Sequence, residues 1–242
     1  GKTPLTATAL SKSYGSLEVF TDVDLAIDKG SRVVILGLNG AGKTTAMKML
    51  CGLSMPTSGK ATVAGFDVYT ENESIKKSIG YMSQKFSMYD DLTVQENITF
   101  FGGIYGLSRK QIKIKTEELI EELQLGNIAK TKVGDLPLGW KQKLAFSVAL
   151  LHEPKIVFLD EPTGGVDPIT RRQFWELIYV EAHKGTTIFV TTHYMDEAEY
   201  CNRVSIMVDG VIEALDTPKN LKEQFQVNSM NEVFLKLARN IE

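Results

Sequence analysis

The sequence predicts an α/β fold with a mostly parallel sheet at its core, an antiparallel β layer beside it and an inserted helical segment. Three observations lead to this fold class. The apolar run at residues 33–36 is followed by a glycine-rich loop and a helical pattern, and residues 156–161 and 186–192 are two further strand-like runs. Fully apolar runs of this length are typical of buried parallel strands. Between them, residues 93–151 have helical periodicity. Alternation of strands and helices around such a loop favours a parallel core.

The glycine-rich loop is the most informative part of the chain. Residues 37–45 are Gly-Leu-Asn-Gly-Ala-Gly-Lys-Thr-Thr and fit the phosphate-loop pattern Gly, four residues, Gly-Lys-Ser/Thr. Glycines let backbone N–H groups turn inward into an anion nest. Lys43 would place a cation on the terminal phosphates, and Thr44 offers a hydroxyl to Mg²⁺. The candidate nucleotide-binding residues of this loop are Gly37, Asn39, Gly40, Ala41, Gly42, Lys43, Thr44 and Thr45.

Composition restricts the possible functions. The 242 residues are 43% hydrophobic and 24% charged, as in an ordinary globular protein. With 27 basic and 30 acidic residues the net charge is −3, which gives no electrostatic footprint for nucleic acid. No apolar run approaches the length of a membrane span, so any membrane role is expected to come through a partner. Cys51 and Cys201 form no disulfide framework, which favours a reducing compartment. The start at Gly1, without Met or a secretory signal, suggests a processed or excised piece.

The N-terminal region predicts strands. Val23, Leu25 and Ile27 alternate with polar or small residues, as on a half-exposed antiparallel strand, within a strand-like region that begins at residue 6. Residues 60–64 and 79–82 are further strand candidates, and together these segments suggest a small antiparallel layer beside the core.

The middle region predicts three helices. Thr93 begins a capping box, Ser108 opens a second helix, and a third runs from about Trp140 and stops before Pro154. Because these helices lie between two strand-rich segments, they predict an inserted subdomain.

The strand at residues 156–161 ends in two carboxylates. Asp160 would hold Mg²⁺ through water, and Glu161 would polarise an attacking water. A helix at 171–181, a strand at 186–192 and a hairpin around Asp209-Gly210 follow. Two helices are expected in the tail, at 218–225 and after the capping box at 229–232.

With these motifs in order, the sequence resembles the ATP-binding cassette family, the motor subunits of ABC transporters, over essentially its entire length. Tyr14 matches the aromatic residue that stacks on adenine, and Gln84 matches the glutamine that links Mg²⁺ to the helical subdomain. His193 matches the switch histidine that contacts the γ-phosphate. Residues 161–168, Glu-Pro-Thr-Gly-Gly-Val-Asp-Pro, resemble the stretch that runs into the dimer-contacting loop.

The resemblance implies a P-loop NTPase fold and a set of roles. It implies one ABC-type ATPase domain, with a nucleotide-binding core at about 1–84 and 155–215, a helical subdomain at 85–154 and a helical tail at 216–242. The implied cofactors are ATP and Mg²⁺. The implied catalytic residues are Lys43, Glu161 and His193, and the implied metal ligands are Thr44, Gln84 and Asp160. The implied partners are a second cassette, in a homodimer, heterodimer or tethered pair, and a transmembrane permease that holds the chain at the inner face of the cell membrane.

One segment departs from the family pattern. The family signature is Leu-Ser-Gly-Gly-Gln, whereas residues 136–140 are Leu-Pro-Leu-Gly-Trp. Pro137 supplies neither the hydroxyl nor an N–H, which puts the serine contact to the opposite subunit's γ-phosphate in doubt. Gly139 retains the last family glycine and would face that nucleotide in trans. The variant is similar to one seen in a branch of bacterial exporter-type, multidrug cassettes.

Several interpretations stay open. A soluble cassette ATPase of translation or DNA repair would favour a coiled-coil insertion or basic tracts, which this chain lacks. A low-turnover regulatory module is favoured by the altered signature and disfavoured by the intact Asp160, Glu161 and His193. The set Phe86, Met88 and Tyr89 either receives a segment of the membrane subunit or packs the helical subdomain. His152 and His183 are interpreted as surface histidines.

Overall fold

The computed structural model of the chain describes residues 4–85, 88–123, 126 and 128–239. The strands are β1 (Leu5–Tyr14), β2 (Leu17–Ile27), β3 (Arg32–Leu36), β4 (Ser58–Val63), β5 (Phe66–Asp67), β6 (Ile79–Met82), β7 (Ile156–Asp160), β8 (Thr187–Thr192), β9 (Arg203–Val208) and β10 (Val211–Asp216). The helices are α1 (Lys43–Leu50), α2 (Asn72–Ser78), α3 (Val94–Ile104), α4 (Arg109–Glu122), α5 (Leu138–Ala149), α6 (Pro168–His183), α7 (Pro218–Phe225) and α8 (Met230–Arg239). Two short 3₁₀ helices span Val133–Asp135 and Met195–Tyr200.

A six-stranded sheet forms the centre of the molecule, with strand order β10-β9-β3-β8-β7-β6. Its strands are parallel from β9 to β6, and β10 joins antiparallel through the hairpin at Asp209-Gly210. The apolar runs of the sequence therefore become neighbouring parallel strands, and the predicted α/β fold is confirmed. The order also places the carboxyl ends of β3, β8, β7 and β6 side by side.

Both faces of this sheet are buried. Because successive side chains of a strand point to opposite faces, neighbouring residues of β3 lie in different hydrophobic cores. Val34 and Leu36 of β3 belong to the hydrophobic core that contains the inward residues of α3, α5, α6 and α8. Val33 and Ile35 belong to a second core, shared with α1 and the four-stranded sheet. Complete burial of residues 33–36 on both faces explains why this run contains no polar residue.

The four-stranded sheet is antiparallel, with order β2-β1-β4-β5. Val23, Leu25 and Ile27 of β2 are buried, as their alternation predicts. This sheet covers the face of the central sheet that carries α1.

The helical segment begins with the predicted caps. The Thr93 hydroxyl accepts a hydrogen bond from Glu96 N, and the Glu96 carboxylate accepts one from Thr93 N, which completes the capping box of α3. Ser108 and Gln111 do the same for α4. In the described part of the chain, no helix is both long and apolar enough to cross a membrane.

The structure differs from the sequence prediction at β6, α2 and α5, and α6 begins at Pro168, three residues earlier than expected. The strand β6 pairs with β7 in the parallel sheet and is not part of the antiparallel layer. A short helix, α2, precedes it and was not expected from the sequence; among the described residues it has no side-chain cap at its N-terminus, so it carries little local signal. The helix α5 starts at Leu138, two residues earlier than expected, because Pro137 occupies the N-cap.

Candidate functional site

The candidate site lies where the parallel strands end. The loop 37–45 follows β3, Glu161 follows β7, His193 follows β8, and Gln84 comes two residues after β6. Because these strands are adjacent and parallel, their carboxyl ends gather the four segments at one edge of the sheet, the usual ligand position in such folds.

The loop is shaped by close backbone contacts. Gly42 has φ +98°, and a Cβ there would lie 2.9 Å from Val19 O. At Gly37 a Cβ would lie 2.4 Å from Met207 O. Only glycine fits these positions without displacing the neighbouring strands. Among the described residues no side chain caps the N-terminus of α1 at Gly42, so its first N–H groups suit an anion.

Lys43 is buried at the first position of α1. Its Nζ donates to Gly37 O at 2.7 Å and to Leu38 O at 2.9 Å, and it lies 3.5 Å from Glu161 Oε1. Burial lowers the pKa of the Lys43 amine, and the Glu161 carboxylate acts in the opposite direction. The lysine is therefore held across the loop and paired with the carboxylate that follows β7.

Asp160 and Thr44 form a pair of oxygen ligands. The buried Asp160 Oδ1 accepts a hydrogen bond from Thr44 Oγ1 at 3.0 Å and one from Thr191 Oγ1 at 2.6 Å. A hydroxyl and a carboxylate beside a phosphate-binding loop fit Mg²⁺, which usually takes one or two carboxylates and completes its shell with phosphate and water.

Glu161 joins three of the segments. Its Oε2 accepts a hydrogen bond from Gln84 Nε2 at 3.0 Å and lies 3.1 Å from His193 Nδ1, while its Oε1 faces Lys43. Its backbone is left-handed, with φ +47°, and its N–H donates to Thr191 O at 3.0 Å. A non-glycine residue in this region costs roughly 1–3 kcal/mol and is most common at functional sites.

These segments enclose a cleft of about 250 Å³. It is lined by Val19, Asn39, Gly40, Gly42, Lys43, Thr44, Thr45, Gln84 and Glu161. Thus the structure brings together the predicted loop residues, Gln84 and Glu161, with Asp160 and His193 in direct contact with them. Val19, in the lining, and Thr191, bonded to Asp160, belong to no sequence motif and are not predicted from the sequence.

Two predicted site residues lie apart from this cleft. Tyr14 is 55% exposed at the end of β1, and the Lys12 Nζ lies 4.5 Å above its ring. Gly139 lies in the first turn of α5, beside Leu138, and lines a separate depression of about 390 Å³ together with the loop that leads into α6. Because it lines a different depression, Gly139 would need a second chain to face a nucleotide.

Three further predictions concern the surroundings of the site. Phe86 lies outside the described residues, Met88 is buried, and Tyr89 is exposed. His183 is exposed, as expected. His152 is half-buried and less exposed than expected: its ring stacks on that of Tyr105 with 4.0 Å between centroids, and its Nε2 lies 3.0 Å from Ile79 O.

Residues 20–164 match the family described as ABC transporter. The chain belongs to the ABC transporter family.

Similar proteins include exporters by name. The chain is 46% identical over 224 residues to the probable multidrug ABC transporter ATP-binding protein YbhF of Escherichia coli, covering 93% of the chain and 39% of that protein. It is 33% identical over 246 residues to the linearmycin resistance ATP-binding protein LnrL of Bacillus subtilis, covering 98% and 79%. It is 35% identical to the Nod factor export ATP-binding protein I of a Rhizobium species, covering 96% and 77%. The chain therefore spans about two fifths of YbhF, and its resemblance to exporter-type cassettes is confirmed.

Solved structures confirm the fold. An ATP-binding subunit of an ABC transporter superposes with a TM-score of 0.87 at 30% identity, covering 97% of this chain and 99% of that one. CbiO1 of Clostridium perfringens, part of the transporter complex cbiONQ, has a TM-score of 0.83 at 24% identity, which supports the fold alone.

Proposed function

We propose that this chain binds Mg·ATP and hydrolyses it as the motor subunit of an ABC exporter. One observation carries the proposal: Lys43, Gln84 and His193, from three different segments, all contact Glu161 beside the uncapped N-terminus of α1. Such an arrangement holds a cation, a carboxylate and backbone N–H groups around one position, as phosphoryl transfer requires.

The loop residues bind the phosphates. The first N–H groups of α1 and the Lys43 ammonium supply positive charge to the terminal phosphates. Thr44 and Asp160, with Gln84, would hold Mg²⁺, which neutralises phosphate charge when bound. The exposed ring of Tyr14 is available to stack on adenine.

Glu161 is the candidate base that orients the attacking water. Its Oε1 lies 3.5 Å from the Lys43 Nζ. When Lys43 turns to a phosphate, this pairing weakens and the Glu161 carboxylate is available to accept a hydrogen bond from the attacking water. His193 then braces the γ-phosphate from the end of β8.

The chain acts with two kinds of partner. The depression at Gly139 and the nucleotide cleft share no lining residue, which supports a pair of cassettes in which one chain's α5 faces the other chain's ATP. The second cassette is either an identical chain or a different or tethered one. A membrane subunit would dock beside Gln84 at the exposed Tyr89, which contacts Phe100 edge-to-face at 4.9 Å, and would hold the chain at the cytoplasmic face of the membrane.

Replacing Lys43 tests the proposal. Lys43→Ala should weaken ATP binding by roughly ten- to a hundredfold, because hydrogen bonds to a charged group are lost, and should abolish turnover. Titration with a fluorescent ATP analogue and phosphate release would measure both. Lys48→Ala, on the exposed side of α1, is the matched control and should behave as the parent. Unchanged affinity and rate in a folded Lys43→Ala chain would reject the site.

A further inference from the structure

A buried carboxylate lies outside the nucleotide cleft. Glu197 lies in the 3₁₀ helix after β8 and is 0% exposed. Its Oε1 accepts a hydrogen bond from Thr163 Oγ1 at 2.5 Å, and its Oε2 accepts one from Thr192 Oγ1 at 2.6 Å. The Arg171 Nε lies 3.6 Å from Oε1. A buried charge is costly unless it is fully engaged, and both oxygens of this one are engaged.

The two threonines occupy informative positions. Thr163 follows Glu161 by two residues, and Thr192 directly precedes His193. Both threonines are buried. The carboxylate of Glu197 therefore bridges the two segments whose ends carry the candidate base and the switch histidine. This bridge runs in parallel with the direct contact between Glu161 and His193 at 3.1 Å.

A second set of contacts links Glu197 to His193. The Thr192 hydroxyl accepts a hydrogen bond from Tyr194 N at 3.0 Å, which fixes the turn that contains His193. The Arg171 guanidinium lies 3.7 Å from the centre of the Tyr194 ring, and this ring lies 4.2 Å from that of His193. Arg171 belongs to the first turn of α6, so the network also reaches the helix that begins at the dimer-contacting loop.

We propose that Glu197 is a positioning residue for ATP hydrolysis, which holds the Glu161 segment and the His193 segment at their working separation. The inference rests on the proposed function. Glu197 does not line the nucleotide cleft, so it acts through the two segments and not on substrate. Displacing a reacting group by about 1 Å costs on the order of 10²-fold in rate.

Burial raises the pKa of Glu197, while the threonine hydroxyls and Arg171 act in the opposite direction. The groups that lower the pKa are the same threonines and arginine that contact the carboxylate. Glutamine at position 197 would keep the volume of the side chain and lose the negative charge that these groups contact.

The test compares two glutamates of one 3₁₀ helix. Glu197→Gln should lower kcat for ATP by about 10- to 100-fold, with ATP affinity within threefold of the parent, since the phosphate loop is untouched. Glu199→Gln, which removes only the partly exposed pair with Lys222, is the control and should stay within threefold of the parent. Parent-like turnover in Glu197→Gln would overturn the inference.

A double-mutant cycle separates positioning from general stability. In a His193→Ala background, Glu197→Gln should cost less than threefold in kcat, because the separation between Glu161 and His193 that it maintains no longer matters once the imidazole is gone. Full multiplication of the two losses would overturn the inference.

If Glu197→Gln does not fold, the pair Thr163→Val and Thr163→Ser tests the same contact. Only Thr163→Val should lose about tenfold in kcat, and equal rates in the two variants would overturn the inference. Absence of ATP turnover in the parent would overturn the proposed function as well, whereas an active parent with an indifferent Glu197 overturns this inference alone.

Discussion

Glu161 is the side chain at which three segments of the candidate site meet. It sits in a left-handed backbone conformation directly after Asp160, and this turn directs the two adjacent carboxylates toward different partners. Asp160 faces the hydroxyls of Thr44 and Thr191, whereas Glu161 faces Lys43, Gln84 and His193. The first environment suits a metal ligand and the second suits a base.

We therefore expect Glu161→Gln to retain ATP binding and to slow hydrolysis by roughly 10²–10⁴-fold, the usual contribution of one positioned base. The amide keeps the shape of the carboxylate and loses its basicity. Single-turnover phosphate release, with affinity measured separately, checks this. Release within threefold of the parent would exclude Glu161 as the base.

At this scale the sequence predicts only residues that have a motif. Lys43 and Thr44 follow from the glycine spacing, and Asp160 follows from the end of an apolar strand. Glu197 and Thr191 could not be found in this way. Their roles come from contacts between segments distant in sequence, about 30 residues in each case, and an isolated Thr or Glu has no distinguishing neighbourhood.

At the scale of elements, local signals predicted local structure well. The hairpin at Asp209-Gly210 has positive φ at both residues, +46° and +81°, as its two-residue turn requires. Pairing between distant strands was harder to predict: β6 has four residues, and nothing in them indicates β7 as the partner. The position of Val19 in the cleft likewise depends on close approach of β2 to Gly42 and Gly210, where a Cβ would lie 2.9 Å and 2.5 Å from Val19 O.

His152 makes one junction between elements sensitive to pH. It joins the end of α3, through Tyr105, to the start of β6, through Ile79. Burial lowers the pKa of His152, although the hydrogen bond to Ile79 O acts in the opposite direction. The unfolded chain therefore binds this proton more readily than the folded chain. The contribution of His152 is complete above the unfolded pKa of about 6.5 and is lost as pH falls below it.

We expect the free energy of unfolding to decrease between pH 7 and pH 5, and His152→Gln to remove part of that decrease. Each pKa unit of difference corresponds to about 1.4 kcal/mol. Urea unfolding across this range measures the slope, with His183→Gln, at an exposed histidine, as the control. An identical slope in His152→Gln would show that this junction does not titrate.

At the scale of the whole molecule, the nucleotide cleft at the sheet edge and the depression at the N-terminus of α5 are separate. The N-terminus of α5 has Pro137 as its N-cap, without a hydroxyl, and Leu138 beside it is 44% exposed. The order of motifs predicted this division, since the helical segment is inserted between strand-rich parts. The distance between the N-terminus of α5 and the chain's own nucleotide cleft depends on tertiary packing, which the sequence pattern does not predict.

Dimerisation should depend on ATP, because each nucleotide would be enclosed only when a second chain brings its α5. Glu161→Gln, which slows hydrolysis, should change from monomer to dimer in sedimentation velocity when Mg·ATP is added. Adding Leu138→Glu should abolish the dimer, since it places a carboxylate at the turn that faces the partner's phosphates. Val180→Glu, at an exposed apolar residue of α6, should leave the dimer intact.

Persistent monomer in Glu161→Gln at high protein concentration would exclude self-pairing and point to a different or tethered cassette. A dimer that tolerates Leu138→Glu would mean that α5 does not face the opposing nucleotide.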